Sequence, residues 1–375
     1  MTASPRLWPR RPITPGEPED RAALIDVDLA TRLGGSLARR RSVSPAYRPG
    51  PMELELTALS QIAQERVAEE ARLDPPGLAR ARVLDRAAWV GSAAAGVERL
   101  AGPAMARAMA DRRRPPKVLA AASSKAGAVE LAGMLAWLSN RVLGQYDVLV
   151  GEEVTDDEDV ISYVGPNIVA LEQRHGFDPS QFRLWLALHE TTHRAQFTGV
   201  PWLRTTFLGL IDEVLGVVPT GAKSLLAGLT RAATEVVGGR NPLAEHGLVG
   251  LVASEEQLDA LSRLSALMSV LEGHGEVVMD VAARELVPDA ERFHEVLRHR
   301  REDVGAPSKL IAQVLGIEAK MRQYAEGEHF VRALRDAGGP SLVRELFESP
   351  ASMPTMLELR EPERWLARAT GALTS

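Results

Sequence analysis

The stretch Leu184-Trp185-Leu186-Ala187-Leu188-His189-Glu190-Thr191-Thr192-His193 carries two histidines four residues apart, with a glutamate directly after the first. Upstream, Asp178-Pro179-Ser180-Gln181 is a helix start: Asp caps, Pro suits the first helical position, and Gln at the third can complete a capping box. Downstream, Gly199-Val200-Pro201 stops the helix, which the pattern predicts over residues 179 to about 197. Residues i and i+4 of a helix face the same way, so the imidazoles of His189 and His193 converge as zinc ligands must. Glu190 lies about 100° round from His189, where its carboxylate can reach a water on the metal without ligating the metal. Zinc lowers the pKa of such a water toward about 7, and a glutamate there can take the proton and later deliver it to a leaving group. With eight histidines in 375 residues, the pattern H-E-x-x-H arises by chance on the order of 1% of the time. Here it falls inside a capped helix and continues the stripe begun by Trp185, so metal binding outweighs a pair of packed histidines.

The third ligand must be His or a carboxylate. The chain has no cysteine, which excludes disulfides, thiolate nucleophiles, cysteine-bound zinc and iron–sulfur clusters. Gln196 and Gly199 stand where a glycine and a third histidine on the same helix would be required, leaving a glutamate on a later helix. Ser254-Glu255-Glu256-Gln257 opens such a helix, and Leu258, Leu261, Leu264, Met268 and Leu271 follow at three- and four-residue spacing. The polar segment beyond them is Leu271-Glu272-Gly273-His274-Gly275-Glu276-Val277-Val278-Met279-Asp280. Glu272 continues the buried stripe, where an unpaired carboxylate is costly, and is the expected ligand. His274, roughly 200° round the helix, and Glu276, on the same face as Glu272, are the alternatives. Glu276 or Asp280 is expected to hydrogen-bond a ligand imidazole.

Around this centre the sequence reads as mainly α with a small β hairpin or sheet. Residues 1–20 are rich in Pro and charge and are expected to be disordered. An N-terminal helical region over 21–117 and a catalytic region over 118–375 follow, or one continuous domain from 21. Residues 84–110 and 118–143 are Ala-rich helical stretches, the first expected to break at Gly102-Pro103. Strand character is confined to residues 145–151 and 160–169, separated by an acidic turn, and the second of these offers an edge to an extended peptide. Residues 216–250 are poorly patterned and leave room for a lid. A net charge of −6 and a pI near 5.9 argue against nucleic acid. No apolar run reaches membrane-spanning length and the N-terminal residues lack a signal-peptide core, so a cytosolic protein is expected. His175, His246, His294 and His299 sit in polar surroundings and are expected at the surface.

Several segments together resemble the zincin-like metallopeptidase family of actinobacteria and their relatives. They are residues 140–147, Val164-Gly165-Pro166-Asn167-Ile168, residues 188–204 from the metal helix to Pro201-Trp202-Leu203-Arg204, residues 269–276, and Gln323-Tyr324-Ala325-Glu326-Gly327-Glu328-His329-Phe330. The resemblance runs from about residue 25 to 365. It implies a mostly helical zincin with one zinc ion per chain, and it favours Glu272 beside His189 and His193. Family members carry names tied to hydrolysis or to deazaflavin-cofactor biosynthesis, and the resemblance implies no substrate. Zincins commonly add a side chain that hydrogen-bonds the developing oxyanion. Tyr324 is the expected catalytic residue of this kind, with His329 and Tyr146 as other candidates and packing as the alternative role for each. The expected function is a zinc-dependent hydrolase, a metallopeptidase with Glu190 as base, acting on a peptide or small amide. Its competitors are a zinc-binding regulatory or scaffold protein without turnover and a zinc hydrolase of a non-peptide amide.

Overall fold

The computed structural model describes residues 25–110, 117–148, 159–216, 254–302 and 317–371, without the side chains of 103–110, 117–122, 216, 301–302 and 317–324. Helices α1 (Val27–Arg39) and α2 (Pro49–Ala71) lead into strand β1 (Ala81–Leu84), then α3 (Arg86–Ala110), α4 (Lys117–Leu138), β2 (Gly144–Tyr146) and β3 (Ile161–Val164). Helices α5 (Gly165–His175), α6 (Pro179–Gly199), α7 (Leu203–Gly216), α8 (Glu255–Ala283), α9 (Ala290–Glu302) and α10 (Ile317–Glu345) follow, and short α11 (Met356–Arg360) and α12 (Pro362–Ala369) close the series. The protein is mainly helical with one small sheet.

The sheet has the order β1-β3-β2, with β1 parallel to β3 and β2 antiparallel to it. The expected pairing of two strands is present, but β1 joins on the other side of β3. Its four residues, Ala81-Arg82-Val83-Leu84, are too short a run to stand out from sequence. The second strand is also shorter than its apolar pattern suggests. Pro166 lies in the first turn of α5, where a missing N–H costs nothing, so residues 165–169 turn helical. Because β3 is central, both its edges are occupied and it cannot take up a peptide. Nor does α3 break at Gly102-Pro103; the alanines on either side favour helix strongly enough to offset one lost hydrogen bond.

Both metal-region helices start as their caps direct. Asp178 accepts from the Gln181 backbone N–H at 3.0 Å. The Gln181 side chain does not close the box, however, and instead accepts from the Asp289 N–H at 3.2 Å, tying the start of α6 to the approach of α9. At α8 the box is complete between Ser254 and Gln257.

The main core gathers α2, the sheet, α5, α6, α8 and α10, while α1, α3 and α4 form a second apolar cluster around Trp89, Val90 and Leu135. Two buried polar groups set α6 and β2 in place. Arg194, fully buried, pairs with Asp159 at 2.5 Å and donates to Gln64 on α2 and to the Pro76 carbonyl. Asn167 donates to the carbonyls of Ser139 and Val142 at 2.8 and 2.6 Å and accepts from Arg86 at 2.7 Å, fixing the loop that delivers β2. Helices α8 and α10 meet at two glycines: a Cβ on Gly273 would lie 2.2 Å from the Gly327 carbonyl carbon, and one on Gly327 would lie 1.9 Å from the Ser269 oxygen. Among the described residues no helix is long and apolar enough to cross a membrane. The segment 216–250, poorly patterned in sequence, lies outside the described residues beyond Gly216, as do His246 and most of the acidic turn.

Candidate metal centre

His189 and His193 project from one face of α6, and Glu272 meets them from α8. One ligand atom from each lies within 4.8 Å of the others. The two Nε2 atoms are 3.3 Å apart, and His193 Nε2 lies 3.9 Å from Glu272 Oε2. Ligands about 2.0–2.1 Å from a tetrahedral ion stand roughly 3.4 Å from one another, so the nitrogens already have ligand spacing. The hydrogen bonds explain why. His193 Nδ1 meets Gln196 Oε1 at 2.9 Å, and an amide oxygen only accepts. The proton of neutral His193 is therefore on Nδ1, and its bare Nε2 lone pair faces His189 Nε2. A proton on His189 Nε2 or a shared cation can bridge the two nitrogens at that distance. The donor set, two imidazoles and a carboxylate, suits zinc.

Glu190 occupies the adjacent face of α6, 6% exposed, against strand β2. Its carboxylate accepts from the Tyr146 backbone N–H and fills the space beside Gly144. Burial pushes its pKa up to about 7; His193 and the Tyr146 N–H pull against that rise, and the charge of Glu272 adds to it. His193 is held above the ordinary histidine value: burial opposes the charge, but Glu272, Glu190, Glu276 and the bond to Gln196 outweigh it.

The structure therefore brings together His189, Glu190, His193 and Glu272. His274 is fully buried on another side of α8, where its Nδ1 meets Gln196 Nε2 at 2.9 Å, and burial drives its pKa down to about 3. Glu276 pairs at 3.5 Å with His294 of α9, which is thus an ion-pair partner on an exposed rim rather than an isolated surface residue. Asp280 pairs with Arg332. Neither carboxylate takes the Nδ1 of His193; Gln196 does. His329 is exposed on α10, and the side chain of Tyr324 lies outside the described residues. Tyr146 bears on the centre through its backbone, while its phenol is buried near Asp159, Arg204 and Arg194. Gln196 and Gly144 escaped the sequence reading. Gln196 is three residues from His193 on the same helix, within reach of its ring; the closeness of Gly144 to Glu190 leaves no local signal.

No curated protein matches the chain. A crystal structure from Chloroflexus aurantiacus, described as "a putative hydrolase with a novel fold", is 25% identical, covers 92% of this chain and 99% of that one, and superposes with a TM-score of 0.67. Residues 25–366 match the model of the zincin-like metallopeptidases. Spanning the metal helix, the glutamate helix and the sheet alike, that match makes the chain a member of the zincin-like metallopeptidase family.

Proposed function

We propose that the protein is a zinc-dependent hydrolase of amide bonds, a metallopeptidase, with His189, His193 and Glu272 as ligands and Glu190 as the general base. The observation that carries this reading is the placement of Glu190: a buried carboxylate on the face of α6 next to His189 and His193, held against strand β2 beside Gly144. A purely structural metal site has no use for such a group, whereas a general base must sit within reach of the water it deprotonates. Bound zinc supplies Lewis acidity and lowers the pKa of a water toward about 7. Glu190 takes the proton of the attacking water on its carboxylate, holds it away from solvent, and returns it to the leaving nitrogen. His193, oriented by Gln196, keeps its Nε2 toward the metal.

The β2 edge supports a peptide as the substrate. The Val164 N–H donates to the Leu143 carbonyl at 2.8 Å. By antiparallel alternation, the backbone polar groups of Gly144 and Tyr146 then point away from β3. Glu190 takes the Tyr146 N–H of that edge, so an extended peptide brought to its Gly144 end lies against the base.

The test uses two variants. His189→Ala is expected to lose stoichiometric zinc. Glu190→Gln is expected to keep zinc and lose turnover on a peptide library, by roughly 10²–10⁴-fold. Zinc-loaded wild type that cleaves no better than Glu190→Gln leaves a metal-binding scaffold as the reading. Cleavage confined to small amides shifts the substrate class instead.

A further inference from the structure

The side chain of Gln196 contacts both helices that supply the metal ligands. Its Oε1 meets His193 Nδ1 at 2.9 Å on α6. Its Nε2 donates to the Leu271 carbonyl at 2.9 Å, the peptide group that leads directly into Glu272, and also lies 2.9 Å from His274 Nδ1. Gln196 and His274 are both fully buried. These contacts permit only one arrangement of protons. The Leu271 carbonyl can only accept, so the amide nitrogen faces α8 and the amide oxygen faces His193. Two N–H groups leave that nitrogen, one for Leu271 and one for His274, so His274 Nδ1 is the acceptor and its proton sits on Nε2. The oxygen in turn requires a proton on His193 Nδ1.

We infer that Gln196 is a positioning residue for the metal centre, locking His193 in its ligating tautomer and α6 against the start of Glu272, with His274 fixing which way the amide points. The inference rests on the zinc reading above. A glutamine is suited to this and a carboxylate is not, because the role needs one acceptor and two donors on one planar group. An aspartate or glutamate at 196 would face the Leu271 carbonyl with a second acceptor. Partners of this kind typically contribute roughly 10- to 100-fold in metal affinity.

The experiment measures zinc affinity by competition with a chromophoric chelator, alongside the melting temperature of each metal-free variant. Gln196→Leu keeps the volume and removes all three bonds; zinc binding is expected to weaken roughly 10- to 100-fold. His274→Leu removes the orienting acceptor and is expected to weaken binding by a smaller factor. His274→Asn places an oxygen near the Nδ1 position and is expected to restore it to within a few-fold of wild type. A wild-type readout stands beside these: two-bond ¹H–¹⁵N spectra of the histidine side chains are expected to show His274 protonated on Nε2 and His193 on Nδ1. Folded Gln196→Leu and His274→Leu proteins that bind zinc within twofold of wild type overturn the inference. So does a His274 protonated on Nδ1, even if the variants fail to fold. Wild type that binds no zinc instead defeats the metal reading itself.

Discussion

The carboxylate of Glu190 occupies the space that a side chain at Gly144 would fill: a Cβ there would lie 2.4 Å from Glu190 Oε1 and 2.6 Å from its Cγ and Cδ. The glycine is therefore a seat. It lets the base lie flat against the strand edge and accept from the Tyr146 N–H.

Gly144→Ala is expected to expel the carboxylate from that seat. The atoms nearest an added Cβ all belong to Glu190 and not to the proposed ligands, so zinc stoichiometry should be kept. Displacement of a catalytic group by about 1 Å typically lowers turnover by about 10²-fold, and that loss is expected in kcat on the best library peptide. Full activity in Gly144→Ala would mean that Glu190 acts from another position.

Gly327→Ala tests the crossing of α8 and α10. The obstacle to a Cβ at 327 is the Ser269 backbone oxygen, which no rotamer change can move. The helices must separate, and overpacking of this kind costs about 3 kcal/mol. A lower urea midpoint with an unchanged slope is the expected result. Because Gly273 adjoins Glu272, zinc affinity should fall with it. An unshifted midpoint would show that the two helices have room to spare.

Asn167→Ala removes three hydrogen bonds at once, two of them buried, leaving the Ser139 and Val142 carbonyls and the Arg86 side chain to find other partners. The expected loss is about 3 kcal/mol. Asn167→Asp should be no better, since it turns two donors into acceptors that face carbonyls. If thermal unfolding finds either variant within about 0.5 kcal/mol of wild type, the loop before β2 is held by something other than Asn167.

What could be read from sequence follows the range of the forces involved. His189, Glu190 and His193 were legible because a helix fixes neighbours three and four apart, and the cap at Asp178 is equally local. Glu272 was reachable because it interrupts an apolar stripe on a second capped helix. The residues that complete the centre act across the fold. Gly144 to Glu190, Gly273 to Gly327, and Gln196 to His274 are contacts between distant segments. Strand β1 became a strand only by pairing with β3, some eighty residues on. Glu276 and Asp280 are tied to other helices in the same way, by His294 of α9 and Arg332 of α10, while Nδ1 of His193 goes to Gln196.

The His294–Glu276 pair gives the rim of the centre a pH dependence whose sign can be worked out. The bond to Glu276 raises the His294 pKa first; burial opposes it, and the charges of Glu276, Asp280 and Glu328 add to the rise. A histidine whose folded value exceeds its unfolded value of about 6.5 contributes stability that is complete below 6.5 and lost as pH climbs through the folded value. The His294 side chain is 38% exposed, so solvent screening keeps the contribution below about 1 kcal/mol. His294→Gln should accordingly be less stable than wild type at pH 5.5 and should converge with it by pH 8.5, as followed by urea unfolding of metal-free protein. Salt at about 0.5 M should shrink the pH 5.5 difference. A difference that is the same at both pH values would mean that His294 packs against α8 without carrying charge there.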